Sequence, residues 1–138
     1  MVSSPPFTVF QVNTIRIYNL DPDASHDECV SIFNAAGIYM ILDVNSPLPN
    51  QSLNRGTPWE SYTSTYLNRT FAVVEAFKNF PNTLGFFSGN EVINQQSVVQ
   101  VPSYIRAVTR DINDNSAIPP QKAAPPEDTH TAPKATRA

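Results

Sequence analysis

The run IYMILDV at residues 38–44 is apolar at almost every position, and it decides the fold. A strand that is covered on both faces of a parallel sheet requires such a run, because neither of its faces meets water. Upstream, NTIRIYNL at residues 13–20 alternates apolar and polar residues and stops at Asp21-Pro22, which predicts another strand and then a loop. Downstream, TLGFFS at residues 83–88 predicts a third strand.

Helical periodicity follows each of these strands. Ser25 and Glu28 have the spacing of a capping box, and Gly37 stands where the first helix is expected to stop. The apolar stripe of this helix comprises Cys29, Ile32, Phe33 and Ala36. After a polar loop predicted over residues 45–60, the stripe of the second helix comprises Leu67, Phe71, Val74 and Phe77. The third helix opens at Pro102, and its stripe comprises Ile105, Val108 and Ile112.

The predicted order β-α-β-α-β-α specifies an α/β fold with a parallel sheet and right-handed crossovers. Two architectures satisfy this order, a doubly wound sheet and part of a (β/α)₈ barrel. The chain has only four glycines and no G-x-G-x-x-G turn after any strand, which disfavours the sheets that bind dinucleotides or phosphates. A partial (β/α)₈ TIM barrel is therefore the favoured prediction.

The charge pattern and the scarce histidine and cysteine residues exclude several partners. The net charge is -3 and no basic cluster is present, so we expect no nucleic-acid partner. His26 and His130 form no cluster of metal ligands with the single cysteine, and we predict no metal site and no cofactor. The apolar residues around Cys29 predict a buried thiol without an internal disulfide.

The ends of the chain and its sequons concern targeting. No apolar run approaches the roughly 18 residues of a membrane span, and residues 1–11 (MVSSPPFTVFQ) have no basic region followed by an apolar one. We therefore predict neither a secretion signal nor a membrane span. The N-x-[ST] sequons make Asn50 and Asn68 candidates for N-glycosylation, which would suit a secreted parent protein. Residues 116–138, rich in Pro, Ala and Thr, are predicted to be disordered.

Polar residues stand at the carboxyl end of each predicted strand, where α/β folds bind their ligands. They are Arg16, Tyr18 and Asn19 after the first strand, Asp43 and Asn45 after the second, and Asn90 and Glu91 after the third. Structural roles are open for several of them: Asp43 could cap a turn, Arg16 could be an internal ion-pair partner, and Tyr18 could belong to the core. Glu91 differs, because an Asn-Glu pair is a poor turn former but places a carboxyl group beside an amide donor.

Three segments together resemble the fungal β-1,3-glucanosyltransferases of glycoside hydrolase family 72. The segments are NTIRIYNLDPDASHDECVSIFNAAGIYMILDVNSPLPNQSLNR (13–55), YLNRTFAVVEAFKNFPNTLGFFSGNEVIN (66–94) and VPSYIRAVTRD (101–111). The resemblance implies a (β/α)₈ barrel in which the predicted strands are strands two to four. The family has an acid/base glutamate after strand four and a nucleophile glutamate after strand seven.

The resemblance also implies roles for residues. Glu91 matches the acid/base, Asn90 matches the neighbour that hydrogen-bonds the sugar 2-hydroxyl, and Tyr18 and Asp43 match positions that contact substrate. The implied activity is retaining transglycosylation that elongates β-1,3-glucan, and the implied location is the fungal cell surface, with a GPI anchor.

The departures from the family suggest three regions. Residues 1–12 diverge from the family, residues 13–115 match part of the catalytic barrel, and residues 116–138 form the tail. The matched part has no nucleophile glutamate, and the resemblance implies that Cys29 has lost its disulfide partner. We therefore expect a chain that is inactive alone, with a non-catalytic β-1,3-glucan-binding remnant or an inert product as alternatives. A partial barrel has open sheet edges, which predict possible self-association.

Overall fold

The computed structural model of the chain describes residues 12–94 and 99–117, and it has the predicted α/β organisation. The elements are β1 (Thr14–Ile17), α1 (Asp27–Ala35), β2 (Tyr39–Asp43), α2 (Pro58–Ser61), α3 (Ser64–Phe77), β3 (Thr83–Phe87) and α4 (Val101–Ala117). The predicted order of strands and long helices is confirmed. The loop predicted over residues 45–60 is wrong at its end, because Pro58 begins the short helix α2 there, with φ already suited to a first helical turn.

The strands form one parallel sheet in the order β1-β2-β3. In its register Ile17 pairs with Leu42 and Asp43 pairs with Phe87, with an irregularity at Met40/Ile41. The carboxyl ends of all three strands therefore lie along the same border of the sheet. The predicted site residues lie at this border.

The helices pack on one face of this sheet. Met40 and Leu42, which alternate along β2, are fully buried and belong to a core with Val73 and Val74 of α3 and with residues of α4. Tyr39, on the opposite face, is 49% exposed. The prediction that residues 38–44 are covered on both faces is therefore wrong at Tyr39, because the core lies on one side in the described ranges.

Helix α1 begins one residue later than the capping-box pattern predicts. His26 is the N-cap and makes no side-chain cap, while the Ser25 hydroxyl donates to the Asp27 carboxylate at 3.3 Å. The Ser25–Glu28 capping box is therefore wrong. The predicted stop at Gly37 is confirmed: its φ is +72°, its N–H donates to the Asn34 carbonyl at 3.0 Å, and the next N–H donates to the Phe33 carbonyl at 2.9 Å. This pair of bonds is a Schellman motif.

The buried thiol predicted at Cys29 is also wrong, since Cys29 is exposed. The physical reason is the rotation of α1, which turns Val30 into the core and leaves Ile32 49% exposed. Residues 118–138, most of the tail predicted to be disordered, lie outside the described residues, and α4 continues to Ala117. Within the described part of the chain, no helix is both long and apolar enough to cross a bilayer.

Candidate functional site

A cavity of about 500 Å³ opens at the carboxyl border of the sheet. Its lining includes the four residues to which the family resemblance assigns roles, Tyr18, Asp43, Asn90 and Glu91. The parallel register brings them together, because each lies at or just after the carboxyl end of a strand. Asn19, Asn45, Ser46, Pro47, Ser52, Leu53, Arg55 and Val92 complete the lining.

Arg16 joins the ends of the strands. One of its terminal nitrogens donates to Asp43 Oδ2 at 2.7 Å and to Asn90 Oδ1 at 2.9 Å. Its guanidinium carbon lies 4.5 Å from the centre of the Tyr18 ring and 4.1 Å from that of Phe87, both within cation–π range. The internal ion pair considered for Arg16 is therefore what the structure shows.

The Asp43 carboxylate is fixed by three donors. Oδ2 accepts from Arg16, and Oδ1 accepts from both the backbone N–H and the side-chain Nδ2 of Asn45, each at 3.0 Å. The bond from the Asn45 backbone N–H closes an Asx turn, so Asp43 does shape a turn, which is one of the roles considered from the sequence. Its side chain is only 2% exposed, which leaves little of the carboxylate for a ligand.

Sequence reasoning missed two polar residues of α3 that hold the loop after β2. The Tyr66 hydroxyl donates to Asn45 Oδ1 at 2.9 Å. Arg69 donates to the Leu20 carbonyl at 2.7 Å and to Gln51 Oε1 at 2.5 Å, which ties together the loops after β1 and β2. The signal that could have found Tyr66 is its hydroxyl on the apolar face of a helix, four residues before Thr70.

Burial shifts the pKa values of Tyr66 and Arg69 in opposite directions. It raises the pKa of Tyr66 to about 12, opposed by the Thr70 hydroxyl and reinforced by the negative charge of Asp43. The buried Thr70 hydroxyl makes no hydrogen bond of good geometry within the described residues. It nevertheless lies close enough to the Tyr66 hydroxyl to lower the pKa of Tyr66. Burial lowers the pKa of the Arg69 guanidinium, and the charges of Asp21 and Asp43 oppose that shift.

Glu91 stands on a strained turn. Its φ is +50°, a left-handed conformation that a residue with a long side chain rarely adopts. The residue is exposed, and among the described residues its carboxylate has no hydrogen-bond or ion-pair partner. It also lines an adjacent cavity of about 310 Å³ with Phe86, Phe87 and Ile105. The carboxylate is therefore available where these two cavities meet.

Both sequon asparagines are exposed, but their surroundings differ. Asn50 occupies a turn with φ +61°, closed by a hydrogen bond from the Gln51 N–H to the Leu48 carbonyl at 3.2 Å. Asn68 lies on α3, and the Thr70 of its sequon is fully buried. No group of three or more His, Cys, Asp or Glu side chains in the described ranges could hold a metal ion.

Comparisons with known proteins relate the chain to one family. The family described as Glucanosyltransferase matches residues 4–123. The 1,3-beta-glucanosyltransferase gel2 of Aspergillus fumigatus is 66% identical over 103 residues, which are 75% of this chain and 22% of that protein. The probable 1,3-beta-glucanosyltransferase GAS3 of Saccharomyces cerevisiae is 59% identical over 108 residues, which are 77% of this chain and 21% of that protein.

A solved structure has a similar fold. Saccharomyces cerevisiae Gas2p in complex with laminaripentaose superimposes with a TM-score of 0.73 at 36% identity, covering 79% of this chain and 24% of that one. The chain thus spans only about a quarter of the solved relative and 22% of the first curated one.

Proposed function

Because the chain belongs to the glucanosyltransferase family, glycoside hydrolase family 72, we propose that its cavity is part of a site for β-1,3-glucan. The observation that carries the proposal is the convergence of Tyr18, Asp43, Asn90 and Glu91 on one cavity at the carboxyl border of the sheet. The activity we propose for the whole protein is 1,3-beta-glucanosyl transfer at the fungal cell surface.

We propose further that β1, β2 and β3 are strands two, three and four of a (β/α)₈ barrel, within residues 13–115. The parallel order β1-β2-β3 and the superposition on part of Gas2p support this assignment. The face that carries Tyr39 would then turn toward the barrel interior, which accounts for the 49% exposure of Tyr39 in the part of the chain that the structure describes. Within residues 12–94 and 99–117, β1 and β3 each have one edge without a neighbouring strand, and such edges would favour self-association of the isolated chain.

In this proposal Glu91 is the acid/base of a retaining reaction. Its carboxyl proton passes to the leaving glycosidic oxygen while a second carboxylate forms a bond to the anomeric carbon; the two groups must lie about 5 to 5.5 Å apart. In the second step Glu91 takes the proton of an acceptor hydroxyl, whose oxygen displaces that carboxylate. We place the second carboxylate in the part of the relatives that this chain does not span.

The neighbours of Glu91 would bind the sugar. The oxygen of the Asn90 amide already accepts from Arg16, so its Nδ2 group is the donor left for a sugar 2-hydroxyl. The Tyr18 ring is 54% exposed and stacked over Arg16, which offers an apolar surface for a pyranose ring. Asp43, almost fully buried, would act mainly by fixing Arg16 and Asn45.

The test is binding and turnover of laminaripentaose by the chain itself. Isothermal titration is expected to detect binding that Asn90→Ala weakens and Asn79→Ala does not, since Asn79 is equally exposed but lies outside the cavity. Product analysis is expected to show no transfer, because one carboxylate cannot complete the double displacement. Equal laminaripentaose affinities of Asn90→Ala and Asn79→Ala would refute the proposed glucan site. Turnover by the chain that Glu91→Gln abolishes would refute the proposal that the second catalytic carboxylate lies outside this chain.

A further inference from the structure

We propose that Tyr66 is a positioning residue of the glucan site, which acts through Asn45 on the Asp43 carboxylate. This inference rests on the proposed function, because it assigns a role in glucan binding to a residue outside the cavity lining. Tyr66 lies on α3, fully buried, and does not line the cavity that holds Asp43 and Glu91.

The Tyr66 hydroxyl fixes the orientation of the Asn45 side-chain amide. Its oxygen accepts from the Tyr66 hydroxyl at 2.9 Å, and its Nδ2 donates to Asp43 Oδ1 at 3.0 Å. A flipped amide would point its oxygen at the Asp43 carboxylate, where oxygen would face oxygen without a proton between them. The Tyr66 hydroxyl, which donates its only proton here, therefore selects the orientation in which Asn45 is a donor to Asp43.

The Asp43 carboxylate in turn positions Arg16 and, through Arg16, Asn90. Asp43 Oδ2 accepts from the Arg16 nitrogen that also donates to Asn90 Oδ1. The direction of the free Asn90 Nδ2 group therefore depends on where the Asp43 carboxylate holds Arg16. Hydrogen bonds link α3, the loop after β2, β1 and the turn after β3 in one continuous series, which runs from part-buried bonds at Tyr66 and Asp43 to an exposed bond at Asn90.

The hydroxyl at position 66 is not required for packing. Packing alone would be satisfied by phenylalanine, as at Phe77 on the same helix, which is buried in the same core. A buried hydroxyl is unfavourable unless it makes a hydrogen bond. Its partner is Asn45, a residue of the cavity wall. The hydroxyl thus connects the core of the sheet to the wall of the site.

The experiment compares Tyr66→Phe with Tyr62→Phe. Tyr62 is a matched control, because its hydroxyl donates to Asp111 and it does not line the cavity. In the glucan-free protein, NMR follows the Asn45 side-chain amide and the Asp43 carboxyl carbon. Tyr66→Phe is expected to shift both resonances, and Tyr62→Phe is expected to shift neither. Laminaripentaose affinity is expected to fall about two- to tenfold in Tyr66→Phe, the effect of one neutral hydrogen bond.

Asn45→Ala completes the design. If Tyr66 acts through Asn45, Tyr66→Phe produces no further shift of the Asp43 carbon in the Asn45→Ala background. Unchanged Asn45 and Asp43 resonances in Tyr66→Phe, or equal shifts in Tyr62→Phe, would overturn the proposal. Urea unfolding of each variant establishes that the compared proteins are folded. A wild-type chain that binds no laminaripentaose would refute the glucan function alone, because the resonance comparison requires no sugar.

Discussion

Replacing Arg16 by methionine removes the cation that joins Asp43 to Asn90 while keeping an unbranched side chain between the Tyr18 and Phe87 rings. Asp43 would then keep its two bonds from Asn45 but lose the donor to Oδ2, with only 2% of its side chain exposed. A buried carboxylate without a counter-ion is unfavourable, so the variant is expected to be less stable than the wild type.

The magnitude follows from the exposure of the pair. Breaking a fully buried pair costs about 3–5 kcal/mol, and an exposed pair contributes about 0–1 kcal/mol. The Arg16 side chain is 30% exposed, so water weakens the pair, and we expect a loss of about 2 kcal/mol. With urea slopes of about 1–3 kcal/mol per molar, the unfolding midpoint should fall by roughly 1 M.

The control is the same substitution in an Asp43→Asn background, where residue 43 carries no charge that could remain buried without a counter-ion. Urea unfolding followed by circular dichroism should then show a loss of less than about 1 kcal/mol for Arg16→Met. An equal loss in both backgrounds would refute the reasoning, because it would show that Arg16 stabilises the fold through packing and not through Asp43.

Three further predictions concern other parts of the chain. Since the pKa of Tyr66 is raised to about 12, its contribution to folding is intact below pH 10 and is lost as the pH rises toward 12. Urea unfolding between these pH values should therefore show a decline of about 2–3 kcal/mol that Tyr66→Phe removes. Gly37→Ala should lower the free energy of unfolding by about 1 kcal/mol, because φ is +72° there, whereas Gly85→Ala, with an ordinary φ and equally open surroundings, should cost less. When the chain is secreted from a eukaryotic host, mass spectrometry should find Asn50 glycosylated more completely than Asn68, since Asn50 lies on an exposed turn; the reverse occupancy would contradict this.

The arrangement of the fold was predictable because it depends on patterns that repeat over many residues. The apolar run at 38–44 and the glycine at the end of α1 each determine a local structure by themselves. The strand-end position of Asp43, Asn90 and Glu91 then places these residues on one border of a parallel sheet. Helix and strand periods were sufficient to predict the order of the elements and the common border of the strand ends.

Details that depend on one residue or on distant pairs were not predictable. A small rotation of α1 exposes Cys29 and buries Val30, and a one-residue shift of its start removes the capping box. The bond from Tyr66 to Asn45 joins residues 21 positions apart on different elements. No local pattern predicts such a bond, because its geometry depends on how α3 packs against the sheet.

The central claim, that the carboxyl border of this sheet binds β-1,3-glucan, is tested most directly by NMR titration of the chain with laminaripentaose. We predict that amide shifts concentrate at residues 18–19, 43–46 and 90–92, and that cellopentaose at the same concentration causes much smaller shifts. No perturbation at these positions, perturbation centred elsewhere in the chain, or equal responses to the two sugars would contradict the account.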